Sequence, residues 1–128
     1  MNKKIILILL FLLSIGIVSA EYHDPLKESG LTVDEYKEQC TDVTYKDLTV
    51  DDSLVNKSVK LTGEVYIAQS ESMFFNVDGD SGQKVFVHLF SDKDNSKFKK
   101  MEGSDATIYC RYDGMSGGDP ELTIVDIE

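Results

Sequence analysis

Few side chains in this sequence are of the kinds that do bond-making chemistry, and the two histidines come first. His23 sits in EYHDP and His88 near the end of the alternating run KVFVHLF. Imidazole works as a base or ligand only with a nucleophile or a metal within hydrogen-bond reach. Neither histidine has a serine-nucleophile motif, metal-ligand spacing or a phosphate-binding glycine loop around it. Acidic residues are plentiful, 23 in all, but carboxylates do acid–base work only in a pocket that separates their pKa values. The expectation is a protein without enzymatic activity and without a cofactor. A small hydrolase using His88 is the rival reading.

The run NVDGDSG places Asn76, Asp78 and Asp80 at the alternate spacing of a calcium loop. An EF-hand also requires glycine at its sixth position and a bidentate glutamate at its twelfth, and those places hold Ser81 and Val87. No metal site is therefore assigned. An ordinary turn competes only with a weak surface site completed by Asp113 or Asp119. The triplet NKS at Asn56 matches the N-glycosylation acceptor pattern.

Two cysteines, Cys40 and Cys110, complete the reactive set. An even pair in a small exported domain is most simply a disulfide, and two thiols allow one intramolecular pairing. Such a bridge would restrict the unfolded chain by roughly 4 kcal/mol in the loop-entropy picture. The alternatives are two buried free thiols or one reactive thiol. Neither cysteine has a CxxC partner or an adjacent histidine.

The elements that would position these residues follow from periodicity. Thr32 with Glu35 has capping-box spacing and predicts a helix from about Val33 to Cys40. YKDLTVDDSLV predicts a second from about Tyr45 to Val55, anchored by Leu48 and Leu54 and broken near Thr49. From Ser58 the pattern becomes alternation, and strands are predicted over Ser58 to Ala68, Ser72 to Asp78, Lys84 to Phe90, Ala106 to Tyr112 and Glu121 to Ile127. DGDSG is a hairpin turn. A short helix around Phe98 and Met101, ended by Gly103, separates the third and fourth strands. DGMSGGDPE reads as a long flexible turn.

Five strands with a short helix between the third and fourth is the order of an OB-fold, a small Greek-key barrel. VKLTGEVYIA resembles the first strand of such barrels, with Gly63 allowing it to bend, and MEGSDATIYCRY resembles their entry into the fourth. More narrowly, EYKEQC, VTYKDL and SVKLTGEV together resemble the exported, tRNA-anticodon-like OB-fold domains of bacterial and archaeal surface proteins. The resemblance covers about residues 33–128. It implies a mainly β fold, a five-stranded barrel with short N-terminal helices, and it supplies no catalytic residues. Cys110 departs from it, standing where a small or apolar residue is expected, which fits a local bridge to the helix holding Cys40.

OB-folds bind on the outer face of their second and third strands and on flanking loops. Alternation puts Tyr66, Phe74, Phe86, His88 and Tyr109 outward. Such aromatics could stack on a ligand; equally, the helices around Tyr36 and Leu48 could cover them and make a second small core. The basic cluster Lys93, Lys97, Lys99 and Lys100 reads as solvated surface.

The chain opens with Lys3 and Lys4, fourteen largely apolar residues from Ile5 to Val18, and VSA before Glu21. This is the plan of a secretory signal peptide, residues 1–20, cleaved after Ala20. As a helix the apolar run would rise only about 21 Å, short of the roughly 30 Å needed for a retained anchor. Residues 21–31 then read as a flexible start and 32–128 as one OB-fold domain, secreted or at the cell surface, with no membrane span after cleavage. Cleavage would leave 11 basic against 23 acidic residues, a formal −12 in place of −10. That field opposes phosphate backbones. The expected partner is a protein or a glycan, with nucleic acid disfavoured and single-stranded nucleic-acid binding the alternative.

Overall fold

The computed structural model describes residues 24–128; the proposed leader and His23 lie outside them. The strands β1 (Thr41–Asp42), β2 (Ser58–Ala68), β3 (Ser72–Val77), β4 (Lys84–His88), β5 (Asp105–Ser116) and β6 (Asp119–Ile127) form one sheet. Five of them close on themselves in the order β2-β3-β4-β6-β5, with β5 returning to pair β2 and β1 lying parallel along the start of β2. The only parallel step in the ring is β4 with β6, Phe86 opposite Glu121 and His88 opposite Thr123. This is the OB-fold barrel expected from the strand order.

Closure requires β2 to serve two partners. Its first half pairs β5, from Ser58 with Arg111 to Glu64 with Asp105, and its second half pairs β3, from Gly63 with Val77 to Ala68 with Met73. The overlap falls at Gly63, where an added Cβ would lie 2.1 Å from the backbone oxygen of Asn76 and 2.9 Å from the Phe75 ring. Only a residue without a side chain lets β3 approach this closely. Alternation then sends Val59, Leu61, Val65, Met73, Phe75, Val85, Val87, Ile108, Cys110, Tyr112, Leu122 and Ile124 inward, all essentially solvent-free. Each large side chain of this kind contributes about 1.5–3 kcal/mol on burial.

Among the described residues four short helices surround the barrel: α1 (Pro25–Ser29), α2 (Val33–Gln39), α3 (Tyr45–Val50) and α4 (Ser96–Lys100). α2 begins with the expected capping box: Thr32 N–H donates to Glu35 Oε1 at 3.0 Å, and Glu35 N–H donates to Thr32 Oγ1 at 3.2 Å. α3 repeats the device with Thr44 and Asp47. The second predicted helix is divided at Asp51, which closes α3 and caps the 3-10 turn Asp52–Leu54. Leu48 of α3 joins the core, and Tyr112 Oη donates to its carbonyl at 2.7 Å. α4 buries Phe98 completely. Within the stretch read as a loose start, Asp24 caps α1 and Pro25 is buried.

The two cysteines expected to bridge are both free thiols. Cys110 points into the barrel core beside Ile108 and Tyr112. Cys40 ends α2, where its Sγ donates to the Tyr36 carbonyl at 3.3 Å. Burial pushes the Cys40 thiol up to about 11 and Cys110 well above its ordinary value, so neither is a ready nucleophile. The stretch read as a long flexible turn also differs. β5 and β6 run on to Ser116 opposite Asp119, joined by Gly117 and Gly118 at φ +61° and +94°. Two consecutive positive φ values make the tight hairpin turn that glycine pairs favour.

Candidate ligand face

β2, β3 and β4 present their odd-numbered core residues inward and a mixed aromatic and polar row outward. Phe74 lies between Ile67 of β2 and Phe86 of β4 in the register. The Phe74 and Phe86 rings meet edge to face at 5.4 Å, and Phe86 meets the His88 ring in the same manner at 5.0 Å. Such pairs favour one fixed arrangement of the rings. Tyr66 and Ile67 are 45% and 39% exposed, and Phe74, Phe86 and His88 are half-buried. The register shifts between Val65 and Ile67, so Tyr66 occupies a bulge that turns its ring outward. There Lys84 Nζ lies 4.5 Å from the ring centroid, and the same ammonium donates to the Ser81 carbonyl at 3.1 Å.

Of the five predicted face residues, four are thus brought together. Tyr109 is not among them. It points outward as its alternation requires, but α2 lies over it: Lys37 Nζ is 4.9 Å from its ring and only 8% of the residue is exposed. Its hydroxyl donates to Glu128 Oε2 at 3.1 Å. The two readings of the face therefore divide along the barrel. α1 and α2 pack on β6 and the start of β2, making Tyr36, Tyr109 and Val125 a small second core outside the barrel, while the β3–β4 end keeps its partly exposed rings.

The polar groups at the open end are specific. His88 Nε2 pairs with Glu121 Oε1 from β6. Ser72 stands opposite His88 in the register, and its hydroxyl is directed to Gln69 Oε1 at 3.5 Å. Beyond Glu121, Thr123 donates to Asp113 Oδ2 at 2.6 Å, and Arg111 Nε donates to Asp113 Oδ1 at 2.8 Å. Asp113 is thereby engaged far from the DGDSG turn, where Asp80 Oδ1 accepts from Gly82 N–H at 2.8 Å. Asn76, considered from the sequence as a possible calcium ligand, sits on this face one step along β3 from Phe74. It is 3% exposed, and its Oδ1 has no hydrogen-bond partner.

A concavity of about 600 Å³ lies between the turn after β2 and the start of α4, lined by Gln69, Ser70, Lys93, Asp94, Asn95 and Lys99 among others. Its polar floor is already used: Asn95 Nδ2 donates to the Ser70 and Phe90 carbonyls, and its Oδ1 accepts from Phe90 N–H. The lysines around it lie over Phe90 and Phe98 or pair with Glu102.

No protein-family model matches the chain, and no curated protein matches its sequence. Solved structures do match. A chain assigned as an aspartyl-tRNA synthetase of Leishmania major superposes with a TM-score of 0.51 at 17% identity, over 71% of this chain and 21% of that one. Replication protein A of U. maydis, solved bound to ssDNA, gives 0.47 at 13% identity over 70% and 71% of the two chains. The telomere capping protein Ten1 of Saccharomyces pombe gives 0.48 at 10% over 70% and 79%. This chain spans about a fifth of the synthetase. At 17% identity the likeness to the synthetase is one of fold alone.

Proposed function

We propose that this protein is an exported, non-enzymatic binding module that holds a neutral glycan on the outer face of β2–β4. The observation that carries the reading is the make-up of that face: Tyr66, Ile67, Phe74 and Phe86 supply partly exposed apolar surface, interleaved with the hydrogen-bonding side chains of Asn76, His88 and Glu121. A sugar chain offers the complement, apolar C–H faces alternating with hydroxyls, and aromatic rings with polar tips or neighbours suit such mixed surfaces. The formal charge, −10 for the whole chain and −12 once Lys3 and Lys4 are removed with residues 1–20, suits an uncharged ligand and opposes a phosphate backbone, whose affinity comes largely from lysine and arginine. Export is supported by the sequence of residues 1–20. The reading without catalysis is supported by Ser72, which stands opposite His88 in the register but directs its hydroxyl to Gln69.

The test is titration of the labelled protein with cellohexaose, chitohexaose and mannohexaose, with an oligothymidylate in parallel. At least one sugar is expected to shift the resonances of Tyr66, Phe74, Phe86 and His88, with affinity unchanged between about 50 and 200 mM salt. Phe86→Ala should weaken that binding about tenfold, equivalent to about 1.4 kcal/mol, because Phe86 braces both neighbouring rings. Salt-sensitive binding of the oligothymidylate with no response to any sugar would sink the glycan reading and favour single-stranded nucleic acid.

A further inference from the structure

Asn76 is an outward residue that almost no solvent reaches. It lies between Glu64 and Lys84 in the register of β2, β3 and β4. Tyr66 and Lys84 belong to the strands on either side of β3, and the Lys84 ammonium lies 4.5 Å from the Tyr66 ring centroid. Side chains that touch from the two flanking strands must pass over the strand between them. They therefore close above the outward end of β3, where Asn76 is 3% exposed.

What they cover is an acceptor without a donor. Asn76 Oδ1 is the one buried side-chain oxygen or nitrogen among the described residues that lacks a partner. The other buried polar side chains are bonded: Asn95 uses both ends of its amide, and Thr123 donates to Asp113. An unpaired buried amide oxygen is destabilising, and native proteins rarely keep one without a use for it. The cover is also weakly held. Tyr66 sits at the bulge of β2, 45% exposed; an exposed cation–π contact is among the weaker interactions of a folded chain, and Lys84 is otherwise held by one hydrogen bond, to the Ser81 carbonyl at 3.1 Å.

We infer that Asn76 Oδ1 is a concealed specificity contact of the ligand face: a sugar ring stacking on Tyr66 displaces Lys84, and one ligand hydroxyl then donates to the uncovered amide oxygen. This rests on the glycan reading and adds to it the residue that selects which hydroxyl pattern is accepted. A site built to pair a hydroxyl discriminates strongly against ligands lacking it, because the unmet group would be reburied. The free protein bears the unmet acceptor; the bound one satisfies it.

The experiment uses the hexasaccharide that wild type binds best among cellohexaose, chitohexaose and mannohexaose. Its affinity is measured by calorimetry for Asn76→Ala, the similarly sized Asn76→Leu and Lys84→Met, alongside each variant's Tm. Both Asn76 variants should bind about tenfold or more weakly, while Asn76→Leu melts no lower than wild type because it removes an unpaired polar atom. Lys84→Met, which frees the Tyr66 ring, should bind more tightly. In wild type the Asn76 side-chain amide resonances should move on binding. Equal affinity in the Asn76 variants would overturn the inference and leave the glycan reading standing; no binding of any hexasaccharide by wild type would overturn both. A clearly lower Tm for Asn76→Leu would mean that the amide is already satisfied in the free protein, and weaker binding by Lys84→Met would make that lysine a contact instead of a cover; either result refutes the mechanism.

Discussion

A methyl group at Gly63 would stand 2.1 Å from a backbone oxygen that β3 cannot withdraw without losing its pairing to β2. Gly63→Ala is therefore an overpacking substitution at the point where one strand serves both halves of the barrel. We expect a loss of about 3 kcal/mol, the upper part of the usual range for added core volume, read as a lower denaturation midpoint at unchanged slope. A loss below about 0.5 kcal/mol would show that β2 reaches both partners without close approach at this residue. The glycine's role was legible in the sequence, because it interrupts an otherwise regular apolar alternation. Tyr66, Phe74, Phe86 and His88 were legible for the same reason. Tyr109 was assigned the right direction but the wrong surroundings, since alternation fixes which way a side chain points and not what lies over it. The unpaired oxygen of Asn76 had no signal at all: satisfaction of an amide depends on neighbours from other strands.

At the scale of the element, α2 poses the sharpest energetic question, because seven residues are too few to be stable as an isolated helix. Tertiary contacts must hold it: the capping box, the burial of Tyr36, and Lys37, which reaches Asp126 at 3.2 Å and also pairs with Glu128. The bond to Glu128 holds the Lys37 ammonium above its ordinary 10.5, and the same bond holds the Glu128 carboxyl below its ordinary 4.5. For the carboxyl, the stabilisation is present above about 4.5 and disappears as pH falls through the lowered folded value. For the ammonium, it is complete below about 10.5 and disappears as pH rises through the raised one. Burial pushes Tyr36 up to about 12, so folding further loses stability between its ordinary 10.0 and that value. Docking of α2 should accordingly be firmest between about pH 5 and 10. Hydrogen exchange of the α2 amides, corrected for intrinsic rates, should show protection falling at both ends, and Lys37→Met should reduce the acid limb to the part owed to Glu35, whose carboxyl the Thr32 hydrogen bonds hold below its ordinary 4.5. An acid limb unchanged in that variant would remove the clamp from the account.

The whole molecule sets two expectations against each other, export and free thiols. The barrel was legible as a whole because strand alternation, one separating helix and a bending glycine are local signals, whereas the parallel closure of β4 on β6, the Gly117–Gly118 hairpin and the placement of α1 depend on partners remote in sequence. The state of the cysteines belongs to that second group. Reading them as a bridge rested on compartment, on an even count and on Cys110 standing where a small or apolar residue was expected; the fold sets Cys110 inside the barrel and Cys40 at the end of α2, both with thiols held in the protonated form at neutral pH. Thiol oxidation and exchange proceed through the thiolate, so an exported chain with this fold can keep both thiols even under oxidising conditions. Expressed from the full precursor in a host that exports it, the protein should be recovered outside the cytoplasm beginning at Glu21, and without reductant it should take up two alkyl groups once denatured. A chain retained with Met1 intact would end the proposal of export. A secreted chain that takes up none would overturn the free-thiol state and join Cys40 to Cys110.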